Sequence, residues 1–213
     1  MGANAEQLIR KGRKYDQVLE GARTAFLRDG FDGASVDDVA REAGVSKATL
    51  YSYFPDKRLL FMEVAKAECG RQADEAMELI DDAAPVAEVL TFAAERITGF
   101  MMSDFGQRIF RICVAECDRF PGLGSEFYIS GPMLVRNRLS EYLTSARARG
   151  ALEMNDVSLA ADQFVQLCKA SIHERQIFGL GGTITPGDVR QVIDGAVSMF
   201  LAAYGPRGRG VRT

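Results

Sequence analysis

Apolar residues recur at spacings of three and four through almost the whole of this 213-residue chain, and nowhere do they alternate convincingly at period two. That spacing stacks side chains along one stripe of a helix, whereas a half-buried strand needs strict alternation. The fold class that follows is all-α. Tyr15, Val18, Leu19, Ala22 and Phe26 form the first stripe. Its helix is expected to stop at Asp29-Gly30, with Gly30 in a left-handed conformation and Phe31 packing back as a core anchor. A long helix is predicted from Lys57 to about residue 83, through Leu60, Phe61, Val64, Ala67, Ala76, Leu79 and Ile80. Further helices are predicted over 86–103, 105–119, 124–149, 157–179 and 187–204. Their stops are Pro121-Gly122, Gly150, the glycine-rich loop at 179–182 with Pro186, and Gly205-Pro206. Gly131-Pro132 falls inside one of these spans, so a kink or late start is expected there.

Between the first helix and the long one lie two very short helices. Ser35 is a good N-cap with Asp38 three places on, an acidic capping box. Val36, Val39, Ala40 and Ala43 supply an apolar face before Gly44-Val45 breaks the helix. Ser46 caps a second short helix, Lys47 to Tyr53, with Leu50 and Phe54 facing inward. Pro55-Asp56 ends it, and Asp56 caps the long helix. Two short helices pack near a right angle only when the turn is tight and the crossing point small, and Gly44 and Ala40 meet both needs. Val45 and Leu50 fill the wedge. Lys47, Thr49, Ser52 and Tyr53 then face mainly outward, with Tyr51 at the edge. Such a face suits DNA: Ser46 and the helix amides for a phosphate, Thr49 for a base edge or thymine methyl, the tyrosines for phosphate and sugar, Lys57 for a further phosphate. The same spacing also serves plain helix packing.

Residues 35–57 as a whole, and above all the run G-V-S-x-x-T-L-Y-x-Y-F-x-x-K over 44–57, strongly resemble the N-terminal domain of TetR-family transcriptional regulators, with the likeness extending from Tyr15 through Phe61. The resemblance implies about nine helices, a homodimer, a ligand-binding C-terminal domain, and repression relieved by a small molecule. It maps DNA contacts onto Ser46, Lys47, Thr49, Tyr51, Tyr53 and Lys57, with Ser35 adding one from the preceding helix. Ala48 stands where many members carry glycine, which removes a little backbone access to phosphate. The string from Arg108 to Pro132 resembles the AefR-like subgroup.

Three regions are expected: a basic arm and helix-turn-helix domain at 1–56, a helical ligand-binding and dimerisation domain at 57–205, and a basic tail at 206–213. Charge is uneven. Residues 1–58 hold ten basic against nine acidic side chains, and the remainder sixteen against twenty. Arg10, Lys11, Arg13 and Lys14 make a local anionic partner plausible for the front.

In the body, aromatic and methionine side chains suggest an adaptable apolar pocket, and ordinary core is the competing reading. The candidate pocket residues are Arg96, Phe100, Phe110, Cys113, Cys117, Phe127, Phe164 and Gln166. Cys113 and Cys117 lie four apart on one helical face and read best as small buried thiols, not as a redox pair. His173 reads as an interface or surface residue. The last two helices carry wide apolar faces that can pair with their symmetry mates, or simply close the core. The candidate interface residues are Phe164, Ile172, Val189, Val192, Ile193, Ala196, Val197 and Phe200.

One histidine and four cysteines without paired CxxC spacing leave little for a metal site or acid–base catalysis, so no metal, no cofactor and no enzymatic activity are expected. No apolar stretch reaches the roughly 18 residues a membrane span needs, and no signal peptide is evident. A cytoplasmic protein is expected, on the nucleoid when bound to DNA. The expected partners are a palindromic double-stranded operator, a second copy of the chain, and a small hydrophobic effector, in a ligand-released repressor. The alternatives are a regulator that activates or needs no ligand, and a helical adaptor that binds protein.

Overall fold

Eleven helices account for the regular structure in the computed structural model, which describes residues 12–78, 84–180 and 184–206. Arg10, Lys11, Leu79, Ile80 and the tail arginines Arg207, Arg209 and Arg212 lie outside the described residues. None of the helices is long and apolar enough to cross a membrane. The chain divides into two units, residues 1–68 and 69–213. The break falls inside the long helix, later than the expected boundary at residue 56.

The first unit is built from α1 (Arg13–Gly33), α2 (Val36–Glu42), α3 (Lys47–Tyr53) and the first half of α4 (Lys57–Glu78). The first three helices, two of them only seven residues long, make too small a core by themselves. Here Leu60, Phe61, Val64 and Ala65 of α4 complete it, packed with Val18, Ala22, Phe26, Val39, Leu50 and Phe54, all buried. Burying each large side chain contributes about 1.5–3 kcal/mol. Phe61 sits edge-on to Phe26 and to Phe31, each at 5.0 Å between ring centres, so Phe31 does pack back on the core. The α1 helix is interrupted at Gly30, with φ 71° as expected but ψ 179°, an extended arrangement open to glycine, followed by one more helical turn. Arg23 of α1 donates to the buried Glu68 of α4 at 2.9 Å, and the Tyr15 hydroxyl donates to Glu63 at 2.9 Å.

The second unit holds the rest of α4 with α5 (Val86–Met102), α6 (Asp104–Glu116), α7 (Pro121–Ser130), α8 (Pro132–Ala148), α9 (Val157–Leu167), α10 (Ile172–Ile177) and α11 (Pro186–Tyr204). Its core is Leu90, Leu143, Phe164 and Phe200 with their smaller neighbours, contributed by α5, α8, α9 and α11. Where a kink or late start is expected at Gly131-Pro132, α7 ends at Ser130 and α8 starts afresh at Pro132, which has no amide hydrogen to continue the ladder.

The helix expected over 157–179 is two helices. After Cys168 the bonding tightens: the Lys169 and Ala170 amides donate three residues back, to Gln166 and Leu167. Ser171 then adopts φ 60°, the one non-glycine residue with positive φ among the described residues. This reversal lets Ile172 enter the core. These two breaks, invisible to hydrophobic period, raise the count from about nine helices to eleven among the described residues.

Candidate nucleic-acid interface and internal cavity

The α2–α3 hairpin is fixed locally at each end of both helices. The Ser35 side chain accepts from the Asp38 amide and the Asp38 carboxylate accepts from the Ser35 amide, completing the capping box. Asp38 is held down at about 2, by hydrogen bonds from Ser35 and from the Arg41 guanidinium. Gly44 takes φ 62°, the left-handed turn that joins the helices. The Ser46 hydroxyl caps α3 by accepting from the Thr49 amide at 3.1 Å. Asp56 accepts from the Arg58 amide at 2.8 Å, capping α4.

With Leu50 and Phe54 buried, α3 turns one face outward. Lys47, Tyr51 and Ser52 are exposed, and Tyr51 is 48% exposed despite its ring. Thr49 is half-buried, its hydroxyl 2.9 Å from that of Ser46. Tyr53 is also half-buried, edge-on to Tyr15 at 5.8 Å, so it stands further in than an outward-facing position would. Lys47 reaches Asp37 of α2 at 2.5 Å, both side chains exposed. Lys57 lies 4.5 Å above the Phe31 ring, and burial pushes its ammonium below the ordinary lysine range. Ser35 is exposed while serving as a cap. The structure thus brings Ser46, Lys47, Thr49 and Tyr51 onto one small surface, with Tyr53 and Lys57 more deeply set.

One feature beneath this surface carries no sequence signal of its own. A β-carbon on Gly21 of α1 would lie 2.5 Å from the Ala43 amide nitrogen and 2.7 Å from its Cα. Only glycine permits α1 and α2 to approach this closely.

In the second unit a cavity of about 250 Å³ opens between α4, α5, α6, α7, α8, α9 and the segment that follows α9. Arg96, Phe100, Phe110 and Phe127 line it. The other four candidates lie elsewhere. Phe164 is wholly buried in the core, edge-on to Phe200 at 5.1 Å. Gln166 is exposed. Cys113 is buried and does not line the cavity, its thiol pushed up to about 12 by desolvation, and Cys117 stands half-buried one turn on. Neither forms a disulfide. The wall also includes Cys69, Ala73 and Ala76 of α4, Tyr142 of α8, and Lys169 and His173 on either side of the Ser171 reversal. His173 sits edge-on to Phe110 at 5.3 Å and is half-buried.

The expected interface residues turn mostly inward. Phe164, Ile193, Ala196, Val197 and Phe200 belong to the core of the single chain, and Ile172 is buried too. Val189 and Val192 are half-buried. The apolar surface that α9, α11 and the segment after α10 leave to solvent is instead Leu159, Met199, Phe178 and Leu180, between 51% and 72% exposed. Gly195, on the outer side of α11, has open space around it.

Comparison with known proteins bears on both units. Residues 18–64 match the family described as bacterial regulatory proteins, tetR family, and residues 88–206 match the AefR-like transcriptional repressor C-terminal domain. A TetR-family transcriptional regulator from Mesorhizobium loti superposes with a TM-score of 0.77 at 26% identity, over 92% of this chain and 100% of that one. The flavonoid-responsive regulator FrrA superposes with a TM-score of 0.68 at 36% identity, over 93% of this chain and 100% of its own. The transcriptional repressor AcnR of Corynebacterium efficiens is 34% identical over 62 residues, 29% of this chain and 33% of that repressor, so this likeness spans about a third of the relative's length.

Proposed function

We propose that this chain, which belongs to the TetR family of bacterial regulatory proteins, is a cytoplasmic repressor that binds a palindromic operator as a homodimer and is released by a small hydrophobic molecule. The observation that carries the reading is the outer face of α3: Lys47 and Tyr51 held exposed over buried Leu50 and Phe54, at the end of a capped, glycine-turned hairpin. In this reading α3 enters the major groove. Thr49 and Tyr51 meet base edges or sugars, Ser46 and Lys47 meet phosphates, and Ser35, Tyr53 and Lys57 add backbone contacts.

Dimerisation is assigned to the outer sides of α9 and α11. Exposed Leu159 and Met199, with Gly195 allowing close approach, offer a self-complementary apolar patch. Two recognition helices would then stand about 34 Å apart, one turn of DNA. The apolar cavity supports a hydrophobic effector, and the flavonoid response in FrrA's name supports one of aromatic size. The effector would act through α4, whose start serves the core under the hairpin and whose later turns wall the cavity. It can shift operator binding only by its differential affinity for the two states.

A reporter driven by a promoter carrying the operator tests the sign of control. Repression by the chain, lifted by a cavity ligand, agrees with this reading. Activation, or repression that no cavity ligand relieves, contradicts it.

A further inference from the structure

The cavity of the second unit is walled by aromatic and aliphatic side chains, yet its charged residues are of one sign. Arg96, Arg138 and Lys169 line it, together with His173, and among the described residues no aspartate or glutamate does. This is unexpected in a chain whose net charge is -3 and whose body is the acidic part. Although its buried Nε has no hydrogen-bond partner, Arg138 is ion-paired, donating to Asp74 at 2.6 Å and to Glu141 at 3.4 Å. Lys169 is not. It is half-buried and pairs with no carboxylate among the described residues. Exposed Glu174 acts on it only at a distance, and the neighbouring Cys168 thiol, pushed up to about 12 by burial, carries no charge. Desolvation lowers Lys169 from its ordinary value, the mark of a cation in apolar surroundings without its counter-ion.

Four residues on, the Nδ1 atom of His173 is buried with no hydrogen-bond partner. A buried polar atom left unpaired loses its hydration with nothing in return and is destabilising. Between these two stands Ser171, whose left-handed backbone sets both side chains at the wall. A half-buried cation unpaired among the described residues and a buried unpaired ring nitrogen, both at the wall of this apolar space, are completed by the same group: an anionic oxygen brought in by a ligand.

We propose that the effector is an apolar acid, bound as its anion, with its hydrocarbon or aryl body among Phe92, Phe100 and Phe110 and its acidic oxygen at Lys169 and His173. This rests on the reading of the cavity as the effector site, and narrows it to a chemical class. A ligand oxygen between the two would accept from the lysine ammonium and from His173 in the tautomer that carries its proton on Nδ1. Arg96, which stacks 6.0 Å from the Phe92 ring and has no ion pair among the described residues, adds positive potential at the wall.

The test is calorimetric titration of the full-length protein with decanoate and with decanol, the same chain without the acid. Decanoate is expected to bind at least tenfold more tightly, and that ratio is expected to fall towards one in Lys169→Met and to fall partway in His173→Phe. Ala73→Trp, which fills the cavity from α4, is expected to abolish both. Equal affinity for the two compounds in the wild type, or an acid preference that survives Lys169→Met, overturns the acid-binding pole and leaves the cavity as effector site. Binding of neither compound, or binding of both undiminished by Ala73→Trp, overturns the cavity reading itself.

Discussion

Gly21 and Ala43 touch backbone to backbone: a β-carbon on Gly21 would sit 2.5 Å from the Ala43 nitrogen. The last turn of α2 is thereby seated on α1, and α2 in turn sets the angle at which α3 is presented. Gly21→Ala forces the two helices apart, because the obstructing atoms are main chain and cannot rotate away. Overpacking of this kind costs about 1–3 kcal/mol. Chemical denaturation should show that loss, and operator affinity should fall with it.

Ser35 serves as a cap in the structure, and the family resemblance also gives it a DNA contact. Ser35→Ala should cost about 1 kcal/mol of stability through the lost cap. Ser35→Asp keeps a capping oxygen, so it should hold stability while repelling phosphate and weakening DNA binding. The partner carboxylate Asp38 is lowered from 3.8 to about 2 in the folded state. Its contribution is therefore complete above the unfolded value near 3.8 and is lost as pH falls through about 2. A pH titration of helicity should show the hairpin intact through the ordinary carboxylate range and loosening only below it.

The exposed pair Lys47–Asp37 sits on the proposed DNA face. An exposed ion pair contributes only about 0–1 kcal/mol, so breaking it should leave the fold unchanged. Asp37→Asn frees the lysine and removes a charge that repels phosphate. Binding to all duplexes should tighten about three- to tenfold at low salt, with a steeper salt dependence. Tyr51→Ala should act in the opposite direction, weakening operator binding about tenfold while the protein stays folded and dimeric. Anisotropy titrations at two salt concentrations measure both.

Ser171 holds a left-handed backbone at φ 60°, a conformation that costs an L residue about 1–2 kcal/mol. Ser171→Gly should relieve most of that, less the extra entropy glycine gives the unfolded chain, for a net gain of about 0.5–1 kcal/mol. A rise in melting temperature would show it. A fall would mean that the serine side chain, and not the backbone reversal, holds this turn.

The hairpin was legible because its instructions are local. Ser35 and Asp38, Gly44, Ser46 and Asp56 each act within a few residues of themselves, and each does in the structure what its position predicts. Gly21 was not legible, since its requirement comes from the backbone of another helix. The faces of α11 show a second limit. Hydrophobic period marks Ile193, Ala196, Val197 and Phe200 as apolar, but cannot tell core from partner, and the chain's own core takes all four. The cavity shows a third. Phe110 and Phe127 announce apolar space, whereas Lys169 and His173 reach the wall only because the chain reverses at Ser171, a serine with no glycine to advertise the turn.

In the proposed function, the α3 helices of a dimer read DNA as a pair. Selection of binding sites from a random duplex library by the purified full-length protein, at two salt concentrations and with and without decanoate, tests it most directly. The expected result is a palindromic motif whose half-sites lie about one helical turn apart, retained at the higher salt. Binding that stays sequence-independent and vanishes as salt rises, under every condition, would contradict it.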